Sequence, residues 1–156
     1  MSQPTVRNQL NRTVAKFDGL PTPLRRAALS FVLGNVVPYI GTSKLRFDEL
    51  KSERVVVSVK NRRRVQNHIK NVHAAAMALL AETATGFCVT MNLPDDKLPL
   101  IKTLKVDYLK RTQGDMRAVA QLSPAQIRLI QTLDKGEVTV PVSITDASGG
   151  EPISAE

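Results

Sequence analysis

His73–Asn92 reads HAAAMALLAETATGFCVTMN, and its reading decides the fold. Its density of Ala, Leu and Met predicts a helix. The apolar residues run nearly all round that helix, so it should be buried on most sides. With its flanks, Val72–Leu93 is long enough to test as a membrane span. Glu82 stands near the middle, however, and Ala and Thr take places that Leu would hold in a span. An ionised Glu at mid-bilayer costs ~2–3 kcal/mol even on lenient scales. The helix is therefore expected at the centre of a globular core, with no membrane span. A helix apolar on all sides needs a surface that wraps it, and a curved antiparallel sheet supplies one.

The flanking sequence provides that sheet. Upstream, Leu10, Val14 and Phe17 recur at helical spacing, and Gly19–Pro23 interrupts them. Thr22 before Pro23 signals a new helix start, and a largely apolar helix from Arg25 should stop before Pro38. Lys44–Leu50 alternates, with Leu45 and Phe47 on one side; Val55, Val57 and Val59 continue as a second strand. Asn61–Asn71 is a polar, basic loop. Beyond the central helix the period is two again, through Leu100, Leu104, Val106 and Tyr108 and then Met116, Ala118, Ala120 and Leu122, with Gly114–Asp115 in the turn between. Ser123-Pro124-Ala125-Gln126 has the form of a capping box with proline at N1, opening a short helix to about Asp134. Val138, Val140, Val142 and Ile144 form another strand, and Gly149–Gly150 turns. The order is helices, two strands, one buried helix, then at least three strands. This is an α+β hotdog architecture. One domain over residues 1–156 is expected, with 1–38 as a helical N-terminal extension.

Charge narrows the partners. Lys and Arg number 22 against 14 Asp and Glu, a net charge of +8. Residues 1–117 carry 20 of the bases and 9 of the acids. A basic body suits an anionic ligand: a phosphorylated molecule, anionic lipid or nucleic acid. Aromatics make up only 4% and Trp is absent, which argues against a base-stacking platform. No nucleic acid partner is expected. The single cysteine, Cys88, excludes an intrachain disulfide and fits a reducing cytoplasm. Met1–Leu20 is polar and lacks the apolar run of a signal peptide. No metal-ligand spacing, Walker loop or dinucleotide glycine pattern is present.

Asn67, His73 and Glu82 carry the chemistry. Taken singly, Asn67 reads as a turn residue, His73 as a helix-start histidine bonding locally, and Glu82 as half of a structural ion pair. Glu82 is nevertheless the only ionisable acid in an apolar helix, where a lone carboxylate is costly unless paired or functional. His73 and Glu82 are nine positions apart, about two and a half turns and ~13 Å of rise. They point to opposite faces and cannot share one site within a protomer. If they act together, two antiparallel copies must build two composite sites.

The run from Asn67 to Glu82 resembles the signature of hotdog thioesterases of the phenylacetate-pathway (PaaI-like) type. There an Asn or Gln is followed six positions on by His-Gly-Gly, and an acid stands nine beyond the His. Val37-Pro38-Tyr39-Ile40-Gly41-Thr42 and Asn67-His68 look closer to a branch of unassigned function. That branch also forms the carboxyl-terminal half of YiiD-type acetyltransferase proteins. The resemblance spans about residues 36–146. It implies a bacterial homodimer or tetramer that hydrolyses acyl-coenzyme A thioesters without metal or other cofactor. Glu82 would then activate water or attack the thioester carbonyl. The backbone N–H of Ala74 would receive the oxyanion, Asn67 would orient the water or thioester, and His73 would shape the carbonyl site. Arg62, Arg63 and Arg64, and Lys110 and Arg111, could grip the coenzyme A phosphates.

Three departures stand out. Ala74 and Ala75 replace the two glycines. Gly86, beside Thr85, occupies the place where some relatives put a hydroxyl one turn after the acid. The family sheet has one more strand after Gly149–Gly150, and Glu156 is expected to end the chain before it forms. Three other functions remain open: a non-catalytic acyl-coenzyme A binding or regulatory domain, a hotdog dehydratase, and a nucleic-acid binder. The dehydratase lacks its His-Phe-Pro-Gly stretch, and the nucleic-acid binder lacks a reading helix. Cys88 reads as core packing.

Overall fold

The computed structural model describes residues 6–156; residues 1–5, the start of the expected N-terminal extension, lie outside them. Three helices come first: α1 (Gln9–Ala15), α2 (Thr22–Val36) and α3 (Pro38–Ser43). Strands β1 (Arg46–Leu50) and β2 (Arg54–Val59) follow, then a 3-10 turn at Arg63–Val65 and the long helix α4 (Ala74–Thr90). The remainder is β3 (Val106–Tyr108), β4 (Met116–Gln121), α5 (Pro124–Thr132), β5 (Val142–Asp146) and β6 (Ile153–Ala155).

Four strands form an antiparallel sheet in the order β1-β2-β4-β5, and β3 pairs with β6 beside it. Helix α4 packs against β2 and β4. Its Ala76, Met77, Leu80, Ala81, Ala84 and Cys88 are buried in one cluster with Val55, Val57, Ala118 and Ala120 from the two central strands. Alanines on both helix and sheet let the backbones approach closely. Phe87 tilts against Phe47 of β1 with ring centroids 4.7 Å apart. This is the hotdog arrangement expected from the order of elements.

Helix ends and sheet edges explain the remaining contacts. The terminal carbonyls of a helix lack intrahelical donors. Here the Asn8 side chain donates to Thr90 and Leu93, and Asn11 donates to Met91, so α1 is fastened across the C-terminal end of α4. Edge strand β1 is covered by α2: Phe47 N–H donates to Ser30 Oγ, and Arg26 Nε donates to the carbonyl of Asp48, where the β1–β2 register bulges. The capping box of α5 forms as expected, with Ser123 and Gln126 bonding reciprocally.

Several expectations are corrected. Pro38 ends α2 but does not end helical structure: it sits in the first turn of α3, where its missing N–H costs nothing. The cap of α2 is Pro21, and Thr22 makes no capping bond. The alternating run from Leu100 becomes a strand only at Val106, and Leu98, Leu100 and Ile101 are exposed outside regular structure. The run from Val138 pairs only from Val142. The final strand is present. After the turn at Gly149–Gly150, β6 places Ala155, Ser154 and Ile153 opposite Val106, Asp107 and Tyr108, and Lys105 and Glu156 exchange two further backbone bonds.

Candidate active site

The amino end of α4 is built by the loop that precedes it. Asn67 folds that loop on itself. Its Oδ1 accepts from the N–H groups of Ile69 and Asn71, both at 3.1 Å, and Lys70 takes a left-handed φ of 61° to close the turn. His73 N–H donates to the Val65 carbonyl at 2.8 Å, which seats the start of α4 against the 3-10 turn. His73 is the N-cap. Its Nδ1 accepts from Ala75 N–H at 3.0 Å, so the neutral ring with Nδ1 unprotonated is the form that caps the helix.

The Ala74 N–H has no acceptor among the described residues and lies at an exposed helix start, where the free amides and dipole favour negative charge. Tyr108 Oη donates to the Ala74 carbonyl at 3.0 Å and ties the end of β3 to this turn. Sequence reasoning missed Tyr108. Its phenol at the end of a strand was the available signal, but the contact spans 34 residues.

Glu82 lies in the middle of α4, half-buried, on the face opposite His73. Burial pushes its carboxyl above the ordinary 4.5; the Thr83 hydroxyl pulls the other way more weakly, and lies outside hydrogen-bonding geometry to any group. No cation pairs with Glu82 among the described residues, so the ion-pair reading finds no partner there. Gly86 stands one turn on, and a Cβ there would lie 3.6 Å from Glu82 Oε1. The neighbouring Thr85 hydroxyl donates back to the carbonyls of Ala81 and Glu82. The chain thus gathers Asn67, His73 and Ala74 at one end of α4 and holds Glu82 apart from them.

Both basic clusters hang from this same end. Arg62, Arg63 and Arg64 are exposed and line a shallow cavity of ≈ 370 Å³. Val59 pairs with Met116, and Asn61 N–H donates to Asp115, so the arginine loop adjoins the β3–β4 turn that carries Lys110 and Arg111. Lys110 Nζ itself lies over Gly150 in the β5–β6 turn. Cys88 is fully buried, and burial pushes its thiol up to about 12, which leaves no thiolate for nucleophilic work. Among the described residues no group of three His, Cys, Asp or Glu could hold a metal ion, and no helix is long and apolar enough to cross a membrane.

Residues 25–156 match the family described as "Domain of unknown function (DUF4442)". The chain belongs to that family. DUF4442 is consistent with the YiiD-type branch that Val37–Thr42 and Asn67-His68 resemble. No curated protein matches the sequence. Solved structures do match in fold. A Pseudomonas aeruginosa protein of unknown function, described as a probable thioesterase, superposes with a TM-score of 0.74 at 23% identity, covering 87% of this chain and 91% of that one. A thioesterase enzyme from Staphylococcus aureus gives 0.62 at 17% identity over 76% and 93%. A thioesterase from Haemophilus influenzae gives 0.60 at 12% identity over 75% and 77%. The chain therefore shares the hotdog fold of these structures.

Proposed function

We propose that the protein is a cytoplasmic acyl-coenzyme A thioesterase acting at composite sites across a homodimer interface, or in a tetramer of such dimers. One observation carries this reading: among the described residues, a half-buried carboxylate without a cation stands eight residues from the unengaged Ala74 N–H at a helix start. Within one chain ~12 Å of helix rise holds the two apart. Antiparallel α4 helices from two copies would bring the Ala74 end of one protomer to Glu82 of its partner. The unpartnered outer side of β3 and the exposed Leu98, Leu100 and Leu109 offer surface for such a contact.

The chemistry then follows. Glu82 takes a proton from water as the water oxygen bonds to the thioester carbonyl carbon. The carbonyl oxygen becomes an oxyanion facing Ala74 N–H. The C–S bond breaks, and the coenzyme A thiolate leaves and regains a proton. Asn67 keeps its Nδ2 group for substrate, since its Oδ1 is used in the turn. His73 acts by capping the helix and shaping the carbonyl site.

A second reading, an acyl-coenzyme A binding or regulatory domain without turnover, is favoured by Ala74 and Ala75. Their methyl groups crowd the approach that glycines leave open. Incubation with short, long and aromatic acyl-coenzyme A esters and a thiol reagent separates the two. Free thiol release at enzyme-like rates supports the hydrolase; saturable binding without release supports the second reading. Replacing Arg62, Arg63 and Arg64 with Ala should raise KM for coenzyme A esters. Esters on a truncated carrier lacking the nucleotide should be much less affected, and equal effects on both would remove the arginines from the site.

A further inference from the structure

The first turn of α4 is held from two sides. Its opening N–H groups are nearly all engaged: His73 N–H donates to the Val65 carbonyl, Ala75 N–H to His73 Nδ1, and Ala76 and Met77 N–H to the His73 carbonyl. Ala74 N–H is left without an acceptor among the described residues. The peptide group between Ala74 and Ala75 is engaged at both ends. Its N–H donates to His73 Nδ1 and its carbonyl accepts from Tyr108 Oη, each at 3.0 Å. The peptide group between His73 and Ala74 has its carbonyl taken by Ala76 and Met77. Both peptide groups that flank the Ala74 Cα are therefore fixed, and the group left over is the N–H that the proposed site uses.

The two halves of this clamp differ in origin. His73 belongs to the turn that it caps, whereas Tyr108 comes from 34 residues away. The strand end that carries Tyr108 is itself braced. Tyr108 stands opposite the buried Ile153 of β6, and the N–H groups of Leu109 and Lys110 both donate to the Pro152 carbonyl. The phenol is thus presented from a secured position. Tyr108 is 51% exposed, so filling the core is not its main contribution; the hydroxyl bond to α4 is. A donor on a peptide carbonyl also polarises that peptide group and makes its N–H a better donor. The Tyr108 bond therefore strengthens the His73 cap on the other end of the same group.

We propose that Tyr108 is a positioning residue for the amide that receives the substrate carbonyl oxygen: with His73 it clamps the Ala74–Ala75 peptide group and so fixes the direction of the free Ala74 N–H. The inference rests on the thioesterase reading and adds a residue to that same site. A preorganised donor stabilises an oxyanion because it need not reorient as the charge develops. Helix ends fray when nothing holds them, and a frayed first turn would lose that advantage. Ala74 and Ala75 work in the same direction, having less backbone freedom than glycine. The Tyr108 hydroxyl is used on the Ala74 carbonyl, so it acts through the backbone and not on the substrate.

The test compares the full chain with Tyr108→Phe, which keeps the ring, removes the donor and should keep the fold. Amide hydrogen exchange followed by NMR reads the turn without any turnover. Ala75 and Ala76 should exchange about 2–10-fold faster in the variant, the range for losing one hydrogen bond. On an acyl-coenzyme A ester that the wild type hydrolyses, kcat should fall about tenfold while KM stays within about twofold, because the transition state is what needs the N–H held in place. Unchanged exchange would overturn the proposal. Faster exchange with kcat unchanged would overturn it too, leaving Tyr108 as a tie between β3 and α4, and so would a rise in KM with kcat kept. If the wild type releases no thiol from any ester, the thioesterase reading fails by itself, and S-acetonyl-coenzyme A, a ketone with no thioester to cleave, decides on Tyr108. Its binding should shift the Ala74 N–H resonance in the wild type and shift it less far in Tyr108→Phe. No shift in the wild type, or equal shifts in both, would overturn the proposal.

Discussion

Helices α2 and α4 both carry apolar residues beyond the side that packs on the sheet, yet α4 is the more deeply enclosed. The β2–β4 sheet takes one side of α4, and α1 fastens its C-terminal end. Helix α2 lies along the outer edge strand β1, which covers half of it and leaves the Leu24–Phe31 side in water. The anomaly in each helix is therefore opposite in kind. In α4 it is a carboxylate among apolar neighbours, and in α2 it is apolar surface among solvent. Composition separates them in part, since α2 carries Arg25 and Arg26 and α4 carries no base; what covers each helix does the rest. A carboxylate held in burial costs free energy unless paired or functional, whereas single exposed apolar side chains are ordinary.

The largest effect should come from the anomaly in α4. Glu82→Gln keeps the size and most hydrogen bonding of the side chain and removes its charge. Under the thioesterase reading the variant folds, assembles and still binds acyl-coenzyme A, and kcat falls roughly 10²–10⁴-fold, the range for losing acid–base assistance. Glu82→Asp should retain some activity. A Gln variant that turns over near the wild-type rate would make Glu82 structural and erase the distinction drawn for α4.

Stability should separate the two helices next. Leu80 is fully buried, and Leu80→Ala should cost about 2–5 kcal/mol in chemical denaturation. Phe31→Ala removes a larger side chain from α2 but should stay within about 0.5 kcal/mol, because that side chain is already in water. Comparable losses at both positions would mean that the outer side of α2 is covered. Between these extremes lies Gly41→Ala. Its Cβ would collide with the Gly34 carbonyl, so overpacking of the α2–α3 crossing should cost about 1–3 kcal/mol.

Much of this comparison was legible from residues. The all-round apolar content of His73–Asn92 located α4 to within two residues of its end, and the Ser123–Gln126 box located α5. The separation of His73 from Glu82 follows from helix geometry alone. What failed has one physical cause. Alternation shows that a segment could be a strand, but pairing needs a neighbour to exchange hydrogen bonds. Leu98–Ile101 lacks one and stays irregular, whereas the short Ile153–Ala155 finds Val106–Tyr108 and forms β6. The Tyr108–Ala74 bond and the Asn8 and Asn11 caps were illegible for the same reason, since each joins residues distant in sequence. Asn67 shows the converse: its turn role lies within five residues, and a local reading reached it.

The smallest effect, and the finest probe of α4, is the pH dependence of stability. Burial raises the Glu82 carboxyl above its ordinary 4.5. Between the ordinary and the raised value, the folded protein holds a proton that the unfolded chain has released. The stabilisation from keeping the acid neutral is therefore present below about pH 4.5. It is lost as pH rises through the raised value, where folding must bury a charge. Glu82→Gln cannot ionise and escapes that loss. Melting temperatures measured across a pH series should nearly coincide for wild type and variant in acid, and the variant should melt higher from neutral pH upward. The gap should be small, because Glu82 is only half-buried and water screens part of the penalty. A variant that melts lower than wild type from neutral pH upward, where Glu82 is ionised, would show the carboxylate held by a cation from a second copy. Glu82 would then belong to the interface that completes α4, and the carboxylate would be paired where this reading holds it free for water.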